Sequence, residues 1–277
     1  MSTTSAPAPR GAAVPPARAA RRLPGGRRGL SGVVVFVALA ELASQTGLIS
    51  PAALPPISEV LVEAARLLVD GAFLAEVRAT VVAAGTGLAG ATLVAVPAGL
   101  LLGSFRLANQ AASAVVEFLR PIPSVALIPL AILVYGQGAQ MKVALVVYAC
   151  LWPIFFNTVY GVRDVEPVAK ETARAYRTSP LRVVTHVLLP SAAPFIATGI
   201  RIAAAVALIV TISAELLAGA ASGVGSWILE MSSGGANLSL VYAGTLVAGL
   251  LGLILNTSLV AVERRLFRWN GVQRGDR

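Results

Sequence analysis

The sequence predicts an all-α membrane fold of about six transmembrane helices, N-in and C-in, on three observations. The first is composition: of 277 residues, 56% are hydrophobic and 13% charged, where a soluble domain carries about 25% charged residues. The mean hydropathy is +0.79. The second is length: apolar runs near 30–49, 79–103, 111–135, 143–162, 192–218 and 240–262 each supply the roughly 20 residues that cross a bilayer core. The third is charge placement. The net charge of +9 comes from basic residues in short blocks beside the apolar runs, a topology signal rather than a nucleic-acid patch.

Residues 1–29, rich in Ala, Pro, Gly and Arg without apolar periodicity, predict a disordered basic cytoplasmic tail. The run over 30–50 is longer than a cleaved signal's apolar region and predicts an uncleaved first helix. Residues 51–76 contain Pro55-Pro56, a capping Ser58, and Leu61, Ala64, Ala65 and Leu68 at helical spacing. They predict an external amphipathic segment lying at the surface. A core with five spans follows over 77–265, interrupted by a hydrophilic loop at 163–190, before a cytoplasmic tail at 266–277. With the N-terminus inside, 17 of the 22 basic residues fall on cytoplasmic segments. Arg66, Arg78 and Lys142 fall outside, and Arg120 and Arg201 fall within spans; this asymmetry sets the orientation.

The loop is the most structured polar stretch. Glu166-Pro167 suits a helix start, and Glu166 and Lys170 are spaced to pair. Ala169, Thr172, Ala173 and Tyr176 form a narrow face of mostly small residues. Ser179-Pro180 starts a second helix, and Leu189-Pro190 ends it before the fifth span. From pattern alone, an interfacial helix among lipid headgroups and a docking helix for another protein both fit.

Other signals point away from catalysis. Gly85, Gly87 and Gly90 match G-x-G-x-x-G inside an apolar helix, where close packing explains them better than nucleotide binding; Gly99 and Gly103 suggest the same. One histidine, His186, and one cysteine, Cys150, offer no metal set. Charges within spans are costly and face the interior or a path. Glu117, Arg120, Arg201 and Glu215 are therefore candidates: either Arg120 and Arg201 meet an anionic solute, or they pair with Glu117, Glu215 or carbonyls and fix helix packing.

The loop resembles the cytoplasmic "EAA" loop of ABC-importer permeases. The triplet is Glu171-Thr172-Ala173, the later aliphatic is Val187, and Leu189-Pro190 follows at the family's spacing. Arg177 occupies the family's glycine slot, so either the turn is made differently or the partner contact is altered. "LPPISEV" (54–60), "LRPIPSVALIPLAILVYGQG" (119–138), "FFNTVYGVRDVE" (155–166) and "AELLAGAASGVGSWIL" (214–229) are similar to the nitrate/sulfonate/taurine subfamily.

The resemblance implies a type I importer permease for a small, anionic solute. Its expected partners are a cytoplasmic ABC ATPase dimer, an extracytoplasmic substrate-binding protein, a second permease copy and membrane lipid, with no nucleic acid. Ala169, Glu171, Thr172, Ala173, Tyr176, Arg177 and Ser179 would form the ATPase-coupling surface. The chain itself would bind no cofactor or metal and would not be an enzyme, ATP being used by the partner. The alternative is a secondary transporter driven by an ion gradient, with coupling charges at the midplane of broken helices; it leaves the loop unexplained.

Overall fold

The structure, a computed structural model, describes residues 25–50, 53–233 and 238–267. The expected basic tail falls almost wholly outside them, as does most of the C-terminal one. All regular elements among the described residues are helical. The chain divides into two compact units, Met1–Ile57 and Ser58–Arg277.

In the first unit, α1 (Gly25–Gln45) carries its apolar part over Ser31–Gln45, shorter than the span expected there. Gly47, at φ +71, takes a left-handed conformation that glycine adopts without steric cost, and the helix stops before it. The Ser44 hydroxyl then donates to the Leu54 carbonyl at 3.0 Å.

The second unit holds the bundle. α2 (Ile57–Leu67) turns Val60, Ala64 and Leu67 inward against Phe73, Val224, Ala243 and Val247, while Leu61 and Leu68 are exposed. The buried face is therefore shifted about one residue from the expected one, and α2 packs it on the bundle. Asp70 caps α3 (Gly71–Ser104), accepting the Ala72 N–H at 3.0 Å, which starts that helix well before the expected residue 79.

The third apolar run is broken. α4 (Arg106–Leu119) and the stretch Ser124–Tyr135, a 3-10 turn leading into α5 (Ile128–Tyr135), meet at 77°. Pro121 and Pro123 flank the bend; neither has an N–H to continue a helix, and each disfavours helical geometry in the residue before it. Among the described residues, four helical stretches are long and apolar enough to cross a membrane: α3, α6 (Ala139–Arg163), Pro180–Ala218 and α11 (Leu238–Leu266). The bent pair makes a fifth if it is one span. α6 packs along both α3 and α9 (Leu189–Ala218), through small residues such as Ala84, Ala91, Ala95, Ala203, Ala207 and Ala214. Gly87 and Gly99 touch α6 so closely that an added Cβ would lie 2.5 Å from Val146 and 2.6 Å from Thr158. Gly85 of the same motif faces open space. The motif is thus helix packing at two of its three glycines, since Gly90 also meets α6 at Val147.

Candidate functional site

Among the described residues, polar side chains gather at each end of the bundle, at the break, and between α9 and α11. At the first end, α7 (Pro167–Ala175) starts at its proline, as expected. Lys170 does not reach Glu166; its ammonium donates to the Val162 carbonyl at 3.0 Å, tying α7 to the end of α6. The helix ends with Arg177 at φ +50, the one non-glycine with positive φ among the described residues. The Thr178 N–H reaches back to the Ala173 carbonyl at 3.0 Å. This six-to-one bond with a left-handed residue between is a Schellman cap, whose left-handed position normally holds glycine. The substitution in the glycine slot therefore leaves the turn in place and puts its strain on an arginine.

α8 (Pro180–Val183) begins with Ser179 at its N-cap and Pro180 in the first turn. The Leu189-Pro190 pair does not end this helix. The chain runs helically from Pro180 to Ala218 through a π turn at Val184–Leu188, closed by the Leu189 N–H donating to the Val184 carbonyl. Pro190 has no N–H and crowds the carbonyl four residues back, and a wider turn relieves that clash. Val162, Val165, Leu188, Ala192 and Ile196 root the segment between α6 and α9. Beyond that root, Ala169, Glu171, Thr172, Arg177 and Ser179 are exposed and Ala173 is half-buried; Tyr176 is 83% exposed. His186 is also exposed, its Nδ1 2.8 Å from the Thr185 hydroxyl.

At the break, Arg120 ends α4 and stacks its guanidinium on the Phe156 ring, 4.5 Å from the centroid. Glu117, on the last turn of α4, is exposed, and no carboxylate among the described residues pairs with Arg120. The Tyr148 hydroxyl donates to the Leu119 carbonyl at 2.6 Å, pinning the break to α6. Arg201 pairs with α11 rather than with Glu215: its Nε lies 3.4 Å from Glu263 Oε2, within ion-pair reach without hydrogen-bond alignment. Thr198 donates to the other Glu263 oxygen at 3.2 Å.

At the opposite end sits a cluster whose cation reads from sequence as a loop charge. Lys142, in the first turn of α6, is buried and donates to Glu215 Oε1 at 2.9 Å and to the Ser222 carbonyl at 2.8 Å. Glu215, with no exposed surface, also accepts the Gly225 N–H at 3.0 Å. Thr80 donates to the same carboxylate at 3.0 Å and accepts the Val224 N–H at 2.9 Å. The Gly223 N–H goes to Glu76. One ion pair thus ties α3, α6, α9 and the turn before α10 (Val224–Ser233) together. Gly223 sits at φ +129, and a Cβ there would land 2.0 Å from Glu215 Oε1, so only glycine lets the turn cross the carboxylate.

A bundle of long apolar helices defines the class of multi-pass membrane proteins. Residues 95–268 match the family described as binding-protein-dependent transport system inner membrane component, and the chain belongs to it. It is 30% identical to the taurine transport system permease protein of Escherichia coli K12, over 81% of this chain and 82% of that one. It is 26% identical to a putative aliphatic sulfonates transport permease protein of Bacillus subtilis 168, over 94% and 95%. The inward-facing MetNI methionine ABC transporter shares the fold at a TM-score of 0.61 and 20% identity, covering 69% of this chain and 94% of that one. The chain is accordingly a multi-pass inner-membrane permease component of the ABC-transporter class.

Proposed function

We propose that this permease imports a small oxyanion, such as a sulfonate, nitrate or taurine, through a path that Arg120 faces, driven by a separate ATPase dimer gripping α7. One observation carries the drive: α7 projects beyond its apolar root with Tyr176 and Val168 exposed, a surface suited to a partner's cleft. Ala169, Glu171, Thr172, Ala173, Arg177 and Ser179 complete that surface. A cavity of about 270 Å³ between Phe105, Lys170, Thr178 and Val184 gives the elbow room to shift. In this reading the elbow end is cytoplasmic, the 219–225 turn meets a solute-binding protein, and a second permease copy completes the path.

The anionic solute is supported by the relatives named for taurine and aliphatic sulfonates and by the charge of Arg120. α4 carries it about 21 Å from Arg106, and a guanidinium that deep stays charged and requires water or an anion beside it. Arg201 and Glu215 belong to pairs and serve packing in this reading. The test is a cysteine at Ala173 or Tyr176 in the complex expressed with its ATPase. Cross-links should form to a nucleotide-hydrolysing protein, and reconstituted vesicles should take up taurine or ethanesulfonate only with ATP. Uptake driven by an ion gradient alone refutes the assignment.

A further inference from the structure

We propose that Trp152 and Arg120 form one oxyanion-binding site at the broken span, the indole N–H and the guanidinium holding the anionic head of the solute. This rests on the reading above that the solute is an anion. Tyr148, Trp152, Phe156 and Tyr160 recur every four residues and so share one face of α6. The first and last of the three neighbouring pairs touch: Tyr148 meets Trp152 edge-on at 5.9 Å, and Phe156 meets Tyr160 at 6.4 Å.

The turns on either side of Trp152 are both tied to the break between α4 and the 3-10 turn. Tyr148 donates to the Leu119 carbonyl, and Phe156 lies under the Arg120 guanidinium. Trp152 is thereby bracketed against the break, and its Nε1–H is buried with no acceptor among the described residues. A buried N–H without an acceptor is a standing cost. At the same break the Arg120 guanidinium is exposed and has no carboxylate partner among the described residues. The two are donors only, and an oxyanion supplies what both lack. The indole N–H is shielded here while Arg120 is exposed, so the proposed site requires the break to move before the anion meets both donors. Phe156 holds the guanidinium plane, presenting its N–H edge.

The experiment uses the full chain in phosphatidylcholine nanodiscs, which contribute no net anionic lipid, titrated calorimetrically with ethanesulfonate at constant ionic strength set by chloride. Wild type should bind. Trp152→Phe keeps the ring and deletes the N–H, and should weaken binding about tenfold, the scale of one hydrogen bond to a charged group. Arg120→Gln should weaken it at least as much, while Arg120→Lys, charged but without the planar fork, should fall between. Trp227→Phe, remote from the break, should bind as wild type. Wild-type affinity in a Trp152→Phe protein of unchanged melting temperature overturns the site, as does absence of ethanesulfonate binding by wild type. The two readings separate in uptake assays. Unimpaired oxyanion uptake by both variants sinks the site and leaves the importer reading standing. Binding that depends on both residues, without oxyanion uptake by wild type, does the reverse.

Discussion

At position 177 an arginine does a glycine's job. A left-handed backbone at a residue with a Cβ costs roughly 1–2 kcal/mol, and Arg177 adopts it because the Thr178-to-Ala173 bond holds the cap closed. Arg177→Gly should therefore tighten the elbow by about 1 kcal/mol, since glycine's greater freedom when unfolded offsets part of the relief. Hydrogen exchange at the Thr178 amide should slow about fivefold, the factor equivalent to that energy. Unchanged or faster exchange contradicts the strain argument. The sequence showed that the glycine slot was filled but left two outcomes open, because backbone dihedrals at one residue depend on the hydrogen bond that closes the turn.

Among elements, the Lys142–Glu215 pair is the clearest test of what joins α6 to α9. Burying two charges is costly, and a buried pair is weak evidence for stability by itself, but removing one partner typically costs 3–5 kcal/mol. Lys142→Met strands Glu215 and should lower the melting temperature of the detergent-purified protein sharply. Adding Glu215→Gln should recover much of the loss, because glutamine still accepts the Gly225 N–H without leaving a buried charge. If the double variant is as unstable as Lys142→Met, the pair is not what fastens the turn. Lys142 sits one turn into α6 next to the Gly136–Gly138 loop, where hydropathy counts it as a loop charge. Its burial depends on Glu215, 73 residues away, and no local pattern reports that. Arg201 illustrates the same limit, since the sequence offered Glu117, Glu215 or carbonyls as partners and packing supplied Glu263.

For the whole molecule, the arrangement of ends is directly testable because the native thiol is hidden. Cys150 has no exposed surface and donates to the Ala203 carbonyl at 3.2 Å, so it should resist membrane-impermeant maleimides in the native protein. Cysteines introduced at Tyr176 and Ala221, both exposed, should then label from opposite faces of oriented vesicles, Tyr176 from the cytoplasmic face. Labelling of both from one face overturns the arrangement. By itself the sequence determined the helical membrane class, the proline-started elbow and the family, because hydrophobic length, proline placement and motif spacing are local features of the chain. The tertiary structure decided the rest: the 77° break of the third run, the continuous helix through Pro190, the inward face of α2, and which carboxylate met which cation. The break and the passage through Pro190 turn on how local proline geometry is resolved, whereas the face of α2 and the charge pairs depend on packing between segments far apart in sequence, where each charge's cost hinges on the partner that folding brings to it.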